Sequence, residues 1–197
     1  VSSDFASVLP GTVVSVPDML SRFWTDRPPV PQTPIFTVHA GESRQSKIGR
    51  VREFLRERRS DGILLSTLDD IAWTLNVRAS DIEYNPLVIS YLLITEDRTL
   101  WYVLKGEIED ELTQATVSIL EPEGIEVLPY TDIDYVGEEV QGRLFIDKGS
   151  LNFDIFSALQ ARGNILVEGT SPTGLWKAVK NRVEIENLKE AHIKDGL

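Results

Sequence analysis

The polar stretch Arg78-Ala79-Ser80-Asp81-Ile82-Glu83-Tyr84-Asn85-Pro86 gathers the side chains best suited to meet a ligand or a neighbouring domain: Arg78, Asp81, Tyr84 and Asn85. Asn-Pro initiates turns, and Pro86 keeps Asn85 out of the helical region. The run that follows, 87–95, carries no charge and is rich in Leu, Val, Ile and Tyr, which suits a strand buried on both faces. A central strand that adjoins a polar loop is where α/β proteins place ligands or partners.

Elsewhere the residues that carry catalysis are sparse. Three carboxylate groups, Asp69-Asp70, Glu109-Asp110-Glu111 and Glu138-Glu139, hold hard ligands for a cation. Adjacent carboxylates on a helix diverge, however, and in so acidic a chain they are expected to face solvent. The two histidines, His39 and His192, are too few for a histidine-rich metal site, and neither has the neighbours of a catalytic base. His192 is expected to be a packing or interface residue on a helix. Gly137 to Gly142 has the glycine spacing of a phosphate loop, but Arg143 replaces the required Lys and no Ser or Thr follows it. No Gly-x-Ser-x-Gly elbow and no dinucleotide fingerprint occur. Trp73 and Trp101 are read as core or interdomain packing.

The elements that must position the loop are legible from periodicity. In 43–59 the apolar Ile48, Val51 and Leu55 fall at helical spacing, with Ser43 as N-cap and Asp61-Gly62 as the stop. The cations of that segment, Arg44, Lys47, Arg50, Arg52, Arg56, Arg58 and Arg59, are interrupted by Glu53 and Glu57 and are expected on a solvated face. Strands are predicted over 62–66, 87–95 and 99–104, the last two joined by a hairpin-length turn and so antiparallel. The stretch 71–77 is short enough to be helix or strand. Then helices over 108–118, 132–140 and 153–162 alternate with strands over 125–129, 143–147 and 164–167. This alternation predicts an α/β, three-layer domain with a mixed, mostly buried β-sheet and helices on both faces. Asn181 with Glu184 forms a capping-box start for a helix over 181–196, where Ile185, Leu188 and His192 share a face. Upstream, 17–24 reads as helical. Four prolines between Pro28 and Pro34 then make an extended connector that marks a domain boundary.

Composition sets the outer bounds. A chain of 197 residues is long enough for one sizeable α/β domain or two small ones. Zero cysteines exclude disulfides and thiolate chemistry and fit a reducing cytoplasm. The formal net charge of -11 argues against nucleic acid and anionic membrane as partners. No apolar run reaches the roughly 20 residues of a membrane helix. The missing initial Met, and an end at Leu197 within a predicted helix, suggest a piece of a longer polypeptide.

Several words of the sequence resemble the cytosolic three-domain Xaa-Pro aminopeptidases (aminopeptidase P), relatives of creatinase and prolidase. They are Phe23-Trp24-Thr25-Asp26-Arg27-Pro28, Ala40-Gly41-Glu42, Thr67-Leu68-Asp69-Asp70-Ile71-Ala72-Trp73, Asn76-Val77-Arg78-Ala79-Ser80-Asp81-Ile82 with Tyr84-Asn85-Pro86, Lys177-Ala178-Val179-Lys180-Asn181 and Ala191-His192-Ile193-Lys194-Asp195. They follow one another in the family's order. Ala79 departs from the pattern, where Gly is expected, and implies a slightly different loop geometry.

The resemblance implies a creatinase N-terminal domain-like unit over 35–176. Residues 1–34 would be the tail of a preceding domain plus a Pro-rich linker, and 177–197 the start of a catalytic pita-bread domain. It implies that the parent is a hydrolase, a cytoplasmic homodimer that acts on peptides with proline second. The parent would use two divalent metal ions, Mn2+, held by ligands outside this chain, which has neither catalytic nor metal residues of its own. The loop residues Arg78, Asp81, Tyr84 and Asn85 would then line a substrate entrance or meet the protein's own catalytic domain, and His192 an interface. Alternative readings are a pure dimerisation and assembly module, or part of a creatinase-like or prolidase-like hydrolase.

Overall fold

The computed structural model describes residues 1–104, 110–140 and 142–196. In chain order its elements are α1 (Ser3–Ser7), β1 (Phe36–Thr37), α2 (Arg44–Arg58), β2 (Gly62–Leu65), α3 (Leu68–Leu75), β3 (Val77–Arg78), β4 (Ser90–Thr95), β5 (Thr99–Val103), α4 (Glu111–Leu120), β6 (Glu126–Pro129), α5 (Val136–Glu139), β7 (Arg143–Ile146), α6 (Phe153–Ala161), β8 (Ile165–Glu168), α7 (Thr173–Ala178) and α8 (Arg182–Asp195). Ile108 and Glu109, which open the helix predicted over 108–118, lie outside the described residues, as do Gln141 of the 137–142 stretch and Leu197.

Among the described residues the main sheet runs in the order β6-β5-β4-β2-β7-β8. β4 is antiparallel to both of its neighbours, while β5 with β6, β2 with β7 and β7 with β8 are parallel. The expected mixed sheet is therefore present, and the 87–95 run supplies one of its interior strands. That strand starts only at Ser90.

Because side chains alternate across a strand, the sheet feeds two separate cores. Ile63, Leu65, Leu92, Ile94, Trp101 and Val103 point to one side and meet Ile48, Val51 and Leu55 of α2 and Ile71 and Leu75 of α3. Leu64, Leu93, Leu100, Tyr102, Leu144 and Ile146 point to the other and meet Ile155, Phe156 and Leu159 of α6.

Local chemistry sets most boundaries. The Ser43 hydroxyl accepts the Ser46 amide of α2 at 3.2 Å, Asp110 caps α4 through Thr113 at 2.7 Å, and Asn152 caps α6 through Ile155 at 2.9 Å. α2 stops at Arg59, which takes a left-handed conformation, before the expected Asp61-Gly62. The ambiguous 71–77 segment is helical as far as Leu75. Asp69 and Asp70 suit its first turn, and Asn76 closes it at φ 54°. The helix predicted over 17–24 reduces to a single 3₁₀ turn, Met19–Arg22, with no buried residue. A segment that short gains no helix without a face to bury.

Two charge assignments are corrected. Arg44 and Lys47 are buried rather than solvated. On a helical wheel both fall on the face defined by Ile48, Val51 and Leu55. Arg44 reaches out of that face to donate to the Leu75 carbonyl at 2.9 Å and to pair with Glu123 at 2.7 Å. The Asp69-Asp70 pair likewise does not diverge into water, because both carboxylates receive the Lys177 ammonium.

β4 runs opposite to its sheet neighbours, so its N-terminal end lies beside the carboxyl ends of β2 and β5. The loop 78–86 thus opens on the carboxyl edge of the sheet, where α3, α7 and α8 also begin or follow. The proline connector is fastened just before that edge. Ile35 gives its amide to Thr113 Oγ1 at 2.9 Å and takes Thr116 Oγ1 on its carbonyl at 2.8 Å, all in the buried interior. At the chain start, Ser3 and Val1 bond to Leu151 and Phe153, so residues 1–8 pack on α6 while 9–32 run along the outside.

The threonine clamp on Ile35 leads to a stability prediction. Thr113→Val preserves shape but leaves a buried amide without an acceptor, a loss of about 1–3 kcal/mol. Urea unfolding of the variant is expected to show a lower midpoint at unchanged slope.

Candidate functional site

The candidate site is a groove of about 570 Å³ at the carboxyl edge of the sheet, between the 38–40 segment and α3 on one side and α8 on the other. Its charged lining is mixed: Arg78, Lys177 and Lys180 face Asp69 and Glu184, and Trp73 supplies the aromatic wall.

Arg78 leaves β3 half-buried, and one guanidinium nitrogen, Nη1, donates to the carbonyls of Ala72 and Val77, each at 2.8 Å. Burial lowers its pKa from the usual arginine value, and the carboxylate of Glu184 opposes that shift. The groove thus holds an oriented cation facing an anion on α8. Lys177 presents the reverse balance. Burial works against its charge, but the hydrogen bonds and fields of Asp69 and Asp70 outweigh it and raise the pKa. The contact to Asp70 is 2.5 Å, and Asp70 is only 4% exposed.

The floor of the groove is the end of α3. Asn76, held left-handed, donates to the Glu42 carbonyl at 2.8 Å and accepts from Lys47 at 2.7 Å. Lys47 is 0% exposed; its ammonium also donates to the Trp73 carbonyl at 2.7 Å and lies 4.3 Å from the Trp73 ring centroid. Burial lowers its pKa to about 8, with Glu184 and Glu42 opposing and Arg78 and Arg50 reinforcing the shift. The folded chain therefore binds this proton less readily than the unfolded one, so this group makes stability rise as pH climbs from about 8 to the ordinary 10.5. The wheel position of Lys47 was the signal that could have found it.

Across the groove α8 starts with the capping box expected of Asn181 and Glu184: the Asn181 side chain accepts from the Glu184 amide at 3.0 Å, and Glu184 takes the Asn181 amide at 2.9 Å. Glu184 also accepts the Trp73 indole N–H at 3.2 Å, and Asn181 donates to the Ala40 carbonyl at 2.7 Å. Gly41 makes this approach possible. Its φ is +74°, and a Cβ there would stand 2.7 Å from the Asn181 amide oxygen and 2.8 Å from Val183 Cβ.

The remaining loop residues are placed differently. Asp81 is 3% exposed and fastens the loop from within. One carboxylate oxygen accepts the Thr33 amide and hydroxyl, each at 2.7 Å, and the other the Ile89 amide at 3.1 Å. Tyr84 sits at the tip of a turn closed by the Asn85 amide on the Ile82 carbonyl at 3.1 Å. It is 95% exposed with φ 62°, beside an exposed Asn85. Ala79 lacks that conformation; its methyl is buried in the core with Val77 and Val88, so no glycine is needed there. His192 is exposed near the end of α8, while the groove takes Leu188 and Ala191 from that helix. α8 has no buried residue. Among the described residues, no group of three or more His, Asp or Glu is placed to hold a metal.

A profile of the creatinase/prolidase N-terminal domain matches residues 26–184. The chain belongs to that family. Aminopeptidase P1 of Arabidopsis thaliana is 30% identical over 93% of the chain and 32% of its own length, and the Xaa-Pro aminopeptidase ApepP of Drosophila melanogaster is 32% identical over 91% and 30%. The X-prolyl aminopeptidase of Caenorhabditis elegans, a cytosolic enzyme with a di-nuclear active site, superposes with a TM-score of 0.79 at 26% identity, over 92% of this chain and 31% of that one. The Xaa-Pro dipeptidase of Bacillus anthracis shares the fold, with a TM-score of 0.56 at 19% identity. The chain therefore spans about a third of the length of the curated relatives it matches. In this creatinase/prolidase N-terminal domain, the words 40–42, 67–73, 76–78 and 177–181 are distant in sequence yet converge on the groove.

The Lys177 grip is testable by rescue. Lys177→Met should lower stability by roughly 1–3 kcal/mol by leaving the buried Asp70 carboxylate without its cation. Adding Asp70→Asn should recover part of the loss in thermal unfolding, whereas equal losses in the single and double variants would show that Asp70 does not depend on Lys177.

Proposed function

We propose that this chain is the non-catalytic domain of a proline-specific metalloaminopeptidase, which removes the N-terminal residue before proline, and that it shapes the entrance to the active site. The observation that carries this reading is the match along nearly the whole chain to aminopeptidases P, at a share of their length that leaves room for a separate catalytic unit. The parent would be a hydrolase with two divalent ions, Mn2+, bound outside this domain. No described helix is long and apolar enough to cross a membrane. The absence of cysteine fits a cytoplasmic setting.

The geometry supports an entrance role for two residues in particular. Arg78 keeps a half-buried guanidinium on the groove, suited to a carboxylate or a peptide terminus region of the substrate or the catalytic domain. Tyr84 holds a bulky aromatic in the left-handed region, fully offered to solvent. Such a conformation costs about 1–3 kcal/mol and persists where something uses it. Asp81 and Asn85 serve the loop that presents Tyr84. A second reading, assembly without any part in substrate handling, draws support from α8, where Ile185, Leu188 and Ile193 stay exposed beside His192 and would be covered in a homodimer or by the catalytic domain.

In the full-length parent, Arg78→Ala is expected to lower kcat/KM for an Xaa-Pro peptide by about tenfold or more, equal to about 1.4 kcal/mol. The loss of stability should be smaller, because only neutral carbonyl partners are lost. Unchanged kinetics would return the loop to a structural role. Tyr84→Asn separates the readings further: Asn tolerates φ > 0 better, so thermal stability should hold or rise while peptide turnover falls. Turnover equal to wild type, with a change only in oligomeric size, would favour assembly.

A further inference from the structure

We propose that Lys47 is a positioning residue that locks α8 to the groove wall, so that the charge on this one buried amine sets how firmly α8 is held to the domain. α8 buries none of its residues, and a free helix of that length is marginal in water, so its order depends on the contacts at its start. Those contacts pass through Trp73 and Glu184 and through the Asn181–Ala40 bond.

Lys47 lies directly behind them. Its ammonium holds the Trp73 carbonyl and the Asn76 amide oxygen and rests on the face of the same indole whose N–H reaches Glu184. A cation over the ring withdraws electron density and makes that N–H a better donor to a carboxylate. The charged groups that face Lys47 are Glu42 ahead of α2, Arg50 on α2, Arg78 on β3 and Glu184 on α8. Arg50 is itself paired with Glu42 at 2.5 Å and packed over the rings of Trp73 and Trp176. Loss of the Lys47 proton leaves its hydrogen bonds to Trp73 and Asn76 feasible for a neutral amine, but removes the field on Glu184 and the ring contact. With its ammonium buried, Lys47 titrates near pH 8, within reach of a solution experiment.

Neutralisation therefore has two effects of opposite sign. The sheet gains stability, because an expensive buried charge is gone, while α8 loses its hold. A residue that merely filled space would produce neither. Neither effect depends on the proposed activity.

The test follows amide exchange in the 197-residue chain between pH 6.5 and 9.5, corrected for intrinsic base catalysis, together with the Trp73 indole N–H resonance. The indole shift should follow a one-proton curve with its midpoint near 8. Protection in α8 should fall about tenfold or more across that step, with protection in β2 and β4 constant or higher. In Lys47→Met the indole step should vanish, and α8 protection should be low at every pH. The proposal is overturned if wild-type α8 protection stays level through the indole transition, or if the indole does not titrate in this range. It also fails if Lys47→Met with a protected sheet keeps a protected α8. Should Lys47→Met not fold, the wild-type titration decides alone.

Discussion

An ammonium taken wholly out of water has to be met by acceptors, and in this domain meeting Lys47 organises everything at the carboxyl edge of the sheet. The acceptors are the Trp73 carbonyl and the side chain of Asn76, the residue that closes α3. Asn76 must also turn left-handed to aim its amide inward. That turn releases the chain as β3, which puts Arg78 on the groove, and it fixes Trp73 where its indole can meet the first turn of α8. At the same edge Gly41 comes so close to Asn181 and Val183 that no side chain fits between them.

Behind this edge the sheet acts as a rigid partition. Leu92 and Leu93, neighbours in sequence, serve opposite cores, and both are fully buried. A shift of one residue in the register of β4 would exchange those cores, so the strand is strongly specified, and with it the position of the loop that feeds it. Asp81 transmits that order to the connector. It holds Thr33 and Ile89 with one carboxylate and so places the proline segment, the loop and the strand in a single frame. The exposed Tyr84 is presented by a scaffold that leaves little freedom below it.

This edge belongs to a creatinase/prolidase N-terminal domain that spans about a third of the length of the curated relatives it matches. At the groove the charged side chains face one another, Lys177 against Asp69 and Asp70 and Arg78 toward Glu184 of α8. The stretches 40–42, 67–73 and 177–181 build the joint between the sheet and α8.

The chain's own pattern of residues determined the α/β class, the mixed sheet, the helices α2, α4, α6 and α8, and the caps of α2 and α8. These rest on local chemistry: periods of two and 3.6, and cap residues within a few positions of what they cap. Only the tertiary structure decided the fate of the charges. Lys47 and Arg44 read as surface cations because composition counts charge without direction, and Asp69-Asp70 read as a solvated pair because Lys177, their partner, lies more than a hundred positions away. The groove is likewise invisible in the linear chain, since α3 meets α8 across 111 positions, Trp73 to Glu184. Burial and pairing of charge are set by such distant contacts, and local periodicity carries no record of them.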